Sequence, residues 1–253
     1  MEIKNCTAII TGGASGMGKA TAQLLAHHGA KIALFDINEA AAKVTADELK
    51  GKAFHCDVSN QESVSNAMKM VESTLGVPRI CINCAGIVYT RRMINKNGIM
   101  PLDDFRKVID INLIGTFNIM SQAAAMMINL PIHEQEERGV IINTASVAAF
   151  EGQIGQTAYS ASKGGVVALT LPAARELAHF GIRVMTIAPG LVDTPMFAKL
   201  SPEAKASLES SVPFPKRLAR PEEYAMLVKH IIDNSMLNGE VIRLDGALRM
   251  ASS

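Results

Sequence analysis

The sequence lacks an excess of charge of either sign. It carries 25 Lys and Arg residues against 24 Asp and Glu residues, a formal net charge of +1, and its basic residues are scattered. A surface that binds nucleic acid or an anionic membrane needs concentrated basic residues. We therefore expect no nucleic-acid partner and no recruitment to a membrane.

The chain also lacks a long hydrophobic run. No stretch reaches the ~18 consecutive apolar residues of a membrane-spanning helix. A strand pattern begins at Cys6, which leaves little room for a cleaved signal peptide before it. We therefore expect a protein of the cytoplasm.

Cysteine is scarce, with four residues in all, and no second Cys/His pair has the spacing of a metal site. Cys81 and Cys84 form a Cys-x-x-Cys pair, but both belong to an apolar strand pattern. Residues i and i+3 of a strand point to opposite faces, so this pair cannot chelate one ion. We predict that the chain binds no metal, and free buried cysteines fit a reducing compartment.

No linker, low-complexity segment or internal repeat divides the 253 residues. Hydrophobic residues make up 48% of the chain and charged residues 19%, which is typical of a folded protein with a sizeable core. We therefore predict one domain over residues 1–253.

Short apolar runs alternate with longer amphipathic or Ala-rich stretches. The runs predict seven strands, at Thr7–Thr11, Lys31–Asp36, Ala53–Asp57, Arg79–Asn83, Gly139–Thr144, Arg183–Ala188 and Glu240–Leu244. The longer stretches predict helices at Met17–His28, Glu39–Leu49, Gln61–Leu75, Asp103–Asn129, Ala158–His179 and Pro221–Asn234. This alternation indicates βαβ units with helices on both faces of a parallel sheet. The predicted fold class is α/β, a single doubly wound (Rossmann) domain with a seven-stranded parallel sheet.

Two irregular stretches follow predicted strands, at residues 87–101 and 191–220. Both are longer than a typical βα connection. Open α/β sheets bind ligands at the carboxyl ends of their strands. We therefore predict that both stretches are substrate loops.

A glycine-rich turn, Thr11-Gly-Gly-Ala-Ser-Gly-Met-Gly18, separates the first predicted strand from the first predicted helix. Its glycines at positions 12, 16 and 18 follow the pattern G-x-x-x-G-x-G. Such a turn lets the backbone approach a pyrophosphate, and the start of the helix presents free N–H groups to that anion. The turn therefore predicts a dinucleotide site.

Asp36 ends the second predicted strand, about twenty residues beyond the glycines. A carboxylate there can accept hydrogen bonds from the ribose hydroxyls of adenosine, and it would repel a 2′-phosphate. Its neighbour Ile37 offers no cation to offset this, so we favour NAD over NADP. The alternative is that Asp36 caps the next helix, although Asn38 is better placed to do so.

Asp57 and Val58 end the third predicted strand. A carboxylate at this position could meet the adenine amino group of a bound dinucleotide. The alternative is again a helix cap, for which Ser59 and Asn60 are also candidates.

Tyr159 and Lys163 lie four residues apart in a predicted helix, so they share one helix face. A nearby ammonium favours the phenolate and would lower the pKa of the tyrosine. A tyrosine of this kind can exchange a proton with an alcohol or a ketone near neutral pH. Ser146 precedes this pair by a short distance in the chain.

Taken together, these motifs resemble the short-chain dehydrogenase/reductase family over essentially the whole chain. Further matching segments are Asn83-Cys-Ala-Gly86, Asp110-Ile-Asn-Leu113, Asn143-Thr-Ala-Ser146 and Pro189-Gly190. Cys84 departs from the family's Asn-Asn-Ala-Gly. The resemblance implies an oxidoreductase that interconverts alcohols and ketones, and its members are usually homotetramers.

The resemblance also implies roles for individual residues. Tyr159 would be the general acid or base, Lys163 would tune it and bind the nicotinamide ribose, Ser146 would hold the substrate oxygen, and Asn112 would hold a water of the proton relay. Gln153 would be a further substrate contact. The implied cofactor contacts are Gly12, Ser15, Gly16, Met17, Gly18, Asp36, Asp57, Val58, Asn83, Cys84, Ala85, Gly86, Tyr159, Lys163, Pro189, Gly190, Val192 and Thr194.

Four segments (residues 139–152, 181–190, 212–215 and 238–246) are similar to one branch of the family. That branch is the type 2 3-hydroxyacyl-CoA dehydrogenases, also called 17β-hydroxysteroid dehydrogenase type 10. The similarity implies NAD-dependent interconversion of 3-hydroxyacyl-CoA and 3-oxoacyl-CoA. The alternatives are a 3-oxoacyl-[acyl-carrier-protein] reductase, a steroid or other alcohol dehydrogenase, or a non-catalytic nucleotide-binding scaffold.

Three cations lie close together in the first predicted substrate loop, Arg91, Arg92 and Lys96. One hypothesis is that they meet the phosphates of coenzyme A. The other is that they form a solvated basic loop.

Overall fold

Seven short apolar runs form one parallel sheet in the computed structural model, which describes residues 1–96, 98–132, 136–195 and 201–252. The strands in chain order are β1 (Thr7–Thr11), β2 (Lys31–Asp36), β3 (Lys52–His55), β4 (Pro78–Asn83), β5 (Ile94–Asn95), β6 (Gly98–Ile99), β7 (Gly139–Thr144), β8 (Ile182–Pro189) and β9 (Val241–Leu244). Of these, β5 and β6 form a small antiparallel pair outside the sheet. The predicted α/β fold with seven parallel strands is confirmed.

The strand order of the sheet is β3-β2-β1-β4-β7-β8-β9. The order reverses between β1 and β4, because the chain first builds outward to β3 and then returns to the other side of β1. Connections leave these two neighbouring strands in opposite directions, which opens a crevice at their carboxyl ends. The fold therefore places a ligand site beside Thr11 and Asn83, the last residues of β1 and β4.

Helices cover both faces of the sheet. They are α1 (Gly16–His27), α2 (Glu39–Glu48), α3 (Gln61–Leu75), α4 (Leu102–Ile109), α5 (Gly115–Met127), α6 (Thr157–Ala178), α7 (Pro202–Ser211) and α8 (Pro221–Asp233). Within the described ranges, no helix combines the length and the apolar character needed to cross a membrane.

The core has one layer on each face of the sheet because successive strand residues point to opposite sides. In β1, Ile10 packs in the layer that contains Leu25 of α1 and Val228 of α8. Its neighbour Ile9 packs in the other layer, with Ile119 of α5. Both faces of β1 are thus buried, which explains why its sequence is continuously apolar.

The Cys-x-x-Cys pair is divided between these two layers. Cys81 is buried in the layer under α3, α5 and α6, while Cys84 packs against the layer under α1 and α8. The predicted placement on opposite faces is confirmed. All four cysteines have free thiols.

The long helix predicted over Asp103–Asn129 is interrupted. A π-helical turn at Asp110–Ile114 separates α4 from α5. The side chain of Asn112, inside this turn, hydrogen-bonds both backbone groups of Ile87. Such local widening of a helix is frequent at functional sites, and here it brings an amide side chain to the segment that follows β4.

The two stretches predicted as irregular both contain regular structure. The first, 87–101, includes the antiparallel pair of β5 and β6, and the second, 191–220, includes α7. The helix has a clear local signal, since Ser201 accepts a hydrogen bond from the Ala204 N–H at 3.3 Å and Pro202 is its first residue. Residues 97 and 196–200 of these predicted substrate loops lie outside the described residues.

Arg183 of β8 forms a buried ion pair with Glu137, before β7, and hydrogen-bonds the end of α8. The Arg183 Nε donates to a carboxylate oxygen of Glu137 at 2.7 Å, and both side chains are buried. The two terminal nitrogens of Arg183 donate to the carbonyls of Ile231 and Ile232 at 2.8 and 3.1 Å. Arg183 thereby satisfies carbonyls in the last turn of α8 that have no partner within the helix.

We expect Arg183→Met to lower the free energy of unfolding by about 3 kcal/mol or more, because it removes the buried guanidinium that pairs with Glu137 and leaves the Ile231 carbonyl without its side-chain donor. The matched control is Lys229→Met, which breaks the partly exposed pair of Lys229 with Asp233 on the same helix and should cost less than about 1 kcal/mol. Urea unfolding of both variants measures the difference. Equal losses would show that burial adds nothing to the Arg183 pair.

Candidate active site

The crevice between β1 and β4 holds a cleft of about 610 Å³. It is lined by the glycine-rich turn, by the ends of β2 and β3, and by the segment that follows β4. Most of the predicted cofactor residues line it, namely Gly12, Ser15, Gly16, Met17, Gly18, Asp36, Asp57, Val58, Cys84, Ala85, Gly86 and Thr194.

The glycines of the turn are required by close backbone contacts. A Cβ atom on Gly18 would clash with the Gly12 carbonyl, and one on Gly12 would lie 3.0 Å from the Ala85 backbone nitrogen. Gly12 and Gly16 also have left-handed φ angles of +64° and +52°. Because these positions have no side chains, the turn can pack closely against the neighbouring backbone and leave the cleft open.

The start of α1 faces this open turn. Ser15 is the N-cap in an extended conformation, and its side chain makes no capping hydrogen bond. The first N–H groups of a helix have no partner within the helix, and they attract anions. The arrangement fits the pyrophosphate of a dinucleotide.

Thr11 ties the two halves of the crevice together, and the sequence did not predict this role. Its hydroxyl oxygen accepts hydrogen bonds from the N–H groups of Cys84 and Ala85 at 3.1 and 3.0 Å. Its place immediately before the glycine-rich turn was the available signal. The contact fixes the chain after β4 against the end of β1.

Asp36 faces the cleft and does not cap a helix. One carboxylate oxygen accepts from the Ala14 N–H at 3.1 Å and the other from the Asn38 N–H at 2.9 Å. The cap of α2 is Asn38, whose side chain accepts from the Ala41 N–H at 3.1 Å. A carboxylate is thus fixed in the lining of the cleft at the end of β2.

Asp57 and Val58 also line the cleft, two and three residues beyond the end of β3. One oxygen of Asp57 accepts from both the N–H and the hydroxyl of Ser59, at 3.0 and 2.6 Å. The cap of α3 is Asn60, which accepts from the Ser63 N–H. Asp57 therefore stabilises the turn between β3 and α3 and also lines the cleft.

Asn83 does not line the cleft. Its side chain is buried between strands, where the amide nitrogen donates to the Asn143 side-chain oxygen at 2.8 Å. The strand alternation directs Asn83 into the protein interior, whereas the residues after it line the cleft. Its side chain supports the sheet end in this structure.

A second cavity of about 380 Å³ adjoins the cleft. Its lining contains Ser146, Gln153, Tyr159, Lys163, Pro189, Gly190, Val192 and Thr194 from the predicted set. The two spaces share the residues Met17, Cys84, Gly86, Ile87, Val88 and Thr194. A ligand in the cleft can therefore extend into the cavity beside Tyr159.

Lys163 is buried at the base of this cavity. Its Nζ donates to the Thr144 carbonyl at 2.7 Å and lies 5.9 Å from the centroid of the Tyr159 ring. Burial lowers the pKa of Lys163 to about 8. The ammonium and the neutral amine are therefore both accessible near physiological pH.

The pKa of Tyr159 is raised, which is opposite to the prediction. Burial of the phenol raises the pKa, and a hydrogen bond with Ser146 acts in the lowering direction. The Lys163 ammonium does not offset the burial because it is directed at the Thr144 carbonyl. In this structure Tyr159 is a protonated acid at neutral pH.

Ser146 makes a capping contact. Its hydroxyl oxygen accepts from the Ala148 N–H at 3.1 Å, which caps a short 3₁₀ turn at Val147–Ala149. The same residue lines the cavity together with Tyr159. Ser146 therefore caps this turn and also borders the cavity.

Asn112 is fully buried and lies behind the cavity. Its side-chain oxygen accepts from the Ile87 N–H at 2.8 Å, and its nitrogen donates to the Ile87 carbonyl and the Ser162 hydroxyl. A Cβ atom on Gly86 would lie 3.1 Å from the Asn112 Oδ1 and 3.6 Å from the Lys163 Nζ. The side chains of Asn112 and Lys163 thus both lie next to Gly86.

Two residues that sequence reasoning missed support Lys163. Thr144 provides the carbonyl acceptor, and its hydroxyl donates to the Asn83 carbonyl at 2.6 Å. The fully buried Tyr224 places its hydroxyl 2.7 Å from the Thr144 Oγ1. A tyrosine in an apolar helix pattern was the available signal for such a buried polar contact.

The predicted loop residues differ in whether they line the cavity. Gln153 lines the cavity, but its side-chain nitrogen donates to the Ala251 carbonyl at 3.3 Å. Arg91 pairs with Asp104 at 2.9 Å, which offsets its charge, whereas Arg92 and Lys96 are exposed. The coenzyme A contact of these three cations stays a hypothesis.

No group of three or more His, Cys, Asp or Glu residues could hold a metal ion in the part of the chain that the structure describes.

Comparisons with known proteins agree with this geometry. The family model "short chain dehydrogenase" matches residues 6–205. The chain is 51% identical to the 3-hydroxyacyl-CoA dehydrogenase type-2 of Bos taurus, with 98% of this chain and 97% of that protein covered. It is 48% identical to the protein of the same name from Drosophila melanogaster, with 98% and 99% covered.

Similarity extends to a solved structure. The crystal structure of 3-hydroxyacyl-CoA dehydrogenase type-2 from Mycobacterium avium superposes with a TM-score of 0.94 at 39% sequence identity, and 98% of each chain is covered. The fold, the order of motifs and these relatives agree, and the chain belongs to the short-chain dehydrogenase family of oxidoreductases.

Proposed function

We propose that this protein is an NAD-dependent dehydrogenase that interconverts 3-hydroxyacyl-CoA and 3-oxoacyl-CoA. The observation that carries the proposal is the junction of the two cavities, where Ser146, Tyr159 and Lys163 border the space next to the dinucleotide cleft. The names of the relatives support the acyl-CoA substrate.

The cleft fits a dinucleotide, and four features would hold one. The glycine-rich turn and the start of α1 suit the pyrophosphate, Asp36 suits the adenosine ribose, and the space between Gly86 and Thr194 leads to Tyr159. When bound, the nicotinamide accepts or supplies the hydride.

The chain's own residues supply the proton chemistry and the positioning. In ketone reduction, the Tyr159 hydroxyl donates its proton to the substrate oxygen, and in alcohol oxidation it takes that proton back. Ser146, which borders the same cavity as Tyr159, orients the substrate oxygen. Lys163 provides a positive charge on the same helix face that favours the phenolate when it forms.

Asn112 lies behind the cavity and supports Tyr159 through contacts with neighbouring residues. Its side chain fixes Ile87 and contacts Ser162, which hydrogen-bonds the carbonyl of Tyr159 at 2.7 Å. These contacts support a positioning role. The relay water assigned to Asn112 by family resemblance stays a prediction.

The homotetramer also stays a prediction from the family. Large apolar side chains on α4, α5 and the turn between them support it, because Leu102, Ile114 and Phe117 are all exposed. Exposed apolar clusters of this kind mark interaction surfaces.

A spectrophotometric screen tests the function directly. The oxidation of NADH and NADPH is followed with acetoacetyl-CoA, a 3-oxoacyl carrier protein and a steroid ketone. Preference for NADH with acetoacetyl-CoA supports the proposal, whereas preference for NADPH with the carrier-protein thioester would favour the reductase alternative. Absence of turnover with every pair would favour the scaffold.

We expect Tyr159→Phe to lower kcat by about 10²- to 10⁴-fold, because the proton donor is lost, while NADH binding changes little. The control is Ser160→Ala on the same helix, whose buried hydroxyl has no hydrogen-bond partner among the described residues and which should keep its activity. Steady-state kinetics and NADH fluorescence titration measure the two properties. Turnover near the wild-type level in Tyr159→Phe would refute the role of the phenol.

We expect Asp36→Ala with Ile37→Arg to shift the ratio of kcat/KM from NAD toward NADP by about tenfold or more, because a charged hydrogen bond is lost and a cation is gained. Ile37 is 67% exposed, so the arginine can be accommodated. The single variant Ile37→Arg separates the added cation from the removed carboxylate. An unchanged ratio in the double variant would show that Asp36 does not select the cofactor.

We expect kcat/KM for NADH in ketone reduction to fall above about pH 8. Because burial lowers the pKa of Lys163 to about 8, its ammonium is present below that pH and is lost as the pH rises through it. The raised pKa of Tyr159 keeps the phenol protonated in the same range. The slope should approach tenfold per pH unit.

An independent check is the titration of lysine Cε signals in ¹³C-lysine-labelled protein. One signal should titrate near pH 8 and be missing in Lys163→Met. If no lysine signal titrates near pH 8, Lys163 is not the group behind the kinetic limb.

A further inference from the structure

The chain segment that follows β9 forms part of the wall of the substrate cavity. Met250 lines this cavity together with Ser146 and Tyr159. The segment is held along the loop before α6, since the Gln153 side chain donates to the Ala251 carbonyl at 3.3 Å and the Ile154 N–H donates to the Ser252 carbonyl at 2.9 Å. A wall residue thus comes from a part of the chain far from the catalytic motifs.

An ionic clamp fixes this segment. Arg243 of β9 makes a bidentate pair with Glu151, with nitrogen–oxygen distances of 2.7 and 3.0 Å. Its Nε also donates to Asp245 at 2.6 Å, and one terminal nitrogen donates to the Leu248 carbonyl at 2.9 Å. The guanidinium also lies 5.3 Å from the centroid of the Phe150 ring.

The clamp reaches Met250 through Glu151. The carboxylate oxygen of Glu151 that pairs with Arg243 also accepts from the Met250 N–H at 3.3 Å. The hydrogen bonds from Arg243 lower the pKa of Glu151, so this carboxylate is ionised at neutral pH. The backbone of Met250 is therefore held by Glu151, and Met250 forms part of the cavity wall.

We propose that Met250 is a specificity-determining residue that limits the size of the acyl group admitted beside Tyr159, and that Glu151 is the positioning residue that holds it there. This rests on the proposed acyl-CoA function. The cavity of about 380 Å³ has the volume of a small-ligand pocket, so the loss of the methionine thioether changes a substantial part of one wall. Discrimination by apolar pocket walls is about tenfold or more for a single methylene.

The test compares kcat/KM for a short substrate, acetoacetyl-CoA, with that for a long one, 3-oxohexadecanoyl-CoA. We expect Met250→Ala to raise the long-to-short ratio by about tenfold, and Met250→Leu, which nearly conserves volume, to leave it within about twofold. Met250→Phe should lower the ratio. The matched control is Met236→Ala, a methionine that is 91% exposed, which should not alter it.

Glu151→Gln tests the clamp. It removes the charge that pairs with Arg243, so the ratio should move in the direction of Met250→Ala while the KM for NADH stays unchanged. A shift in the KM for NADH of the same size as the shift in the ratio would indicate general loosening and would overturn the positioning role.

Failure of this proposal can be separated from failure of the proposed function. If the wild-type protein turns over neither acyl-CoA, the same variants are compared on a short and a long methyl ketone, which need no coenzyme A. An unchanged ratio in both Met250→Ala and Met250→Phe, on whichever series the wild type accepts, would show that Met250 does not limit substrate size. Opposite shifts in these two variants support the proposal.

Discussion

The catalytic end of this protein depends on one buried hydrogen bond, from the Lys163 ammonium to the Thr144 carbonyl at 2.7 Å. An ammonium loses most of its hydration when buried, and this loss is tolerable only when fixed acceptors replace the water. The Thr144 carbonyl is such an acceptor because it lies at the end of β7, where the sheet holds it. The position of the charge is thus set by the sheet as well as by α6.

The same threonine connects three elements around Lys163. Its hydroxyl has a single hydrogen, which the Asn83 carbonyl must receive because a carbonyl can only accept. The Tyr224 hydroxyl, 2.7 Å away, must then donate to Thr144. These directions link β4, β7 and α8 in one chain of hydrogen bonds, so that the base of the cavity resists rearrangement.

The features that the sequence predicted well are those that local chemistry determines. The glycine-rich turn, the caps at Asn38 and Asn60 and the strand β7 require only their own residues and the strand or helix beside them. The seven strands follow from apolar runs buried on both faces. The family motifs then bring Tyr159, Lys163 and Ser146 to one cavity, as the sequence predicted.

What the sequence could not provide depends on contacts between distant segments. The spacing of Tyr159 and Lys163 indicates that they share a helix face, but the competing acceptor for the ammonium is on β7 and the burial comes from several elements. The pKa of Tyr159 therefore rises instead of falling. Asn83 belongs to a cofactor motif in the sequence, yet its side chain turns inward to Asn143 because the strand alternation requires it.

The motifs that line the cleft and the residues that form the walls of the adjoining cavity come from different parts of the chain. The dinucleotide cleft is built from strand-end turns whose positions follow from the sheet register, so short motifs are sufficient to identify it. The substrate cavity instead takes its walls from loops, from α7 and from the segment after β9, including the contact between Glu151 and Met250, which are 99 residues apart. Proteins with the same motifs can therefore share a reaction and differ in substrate, since changes in these walls leave Tyr159, Lys163 and Thr144 in place.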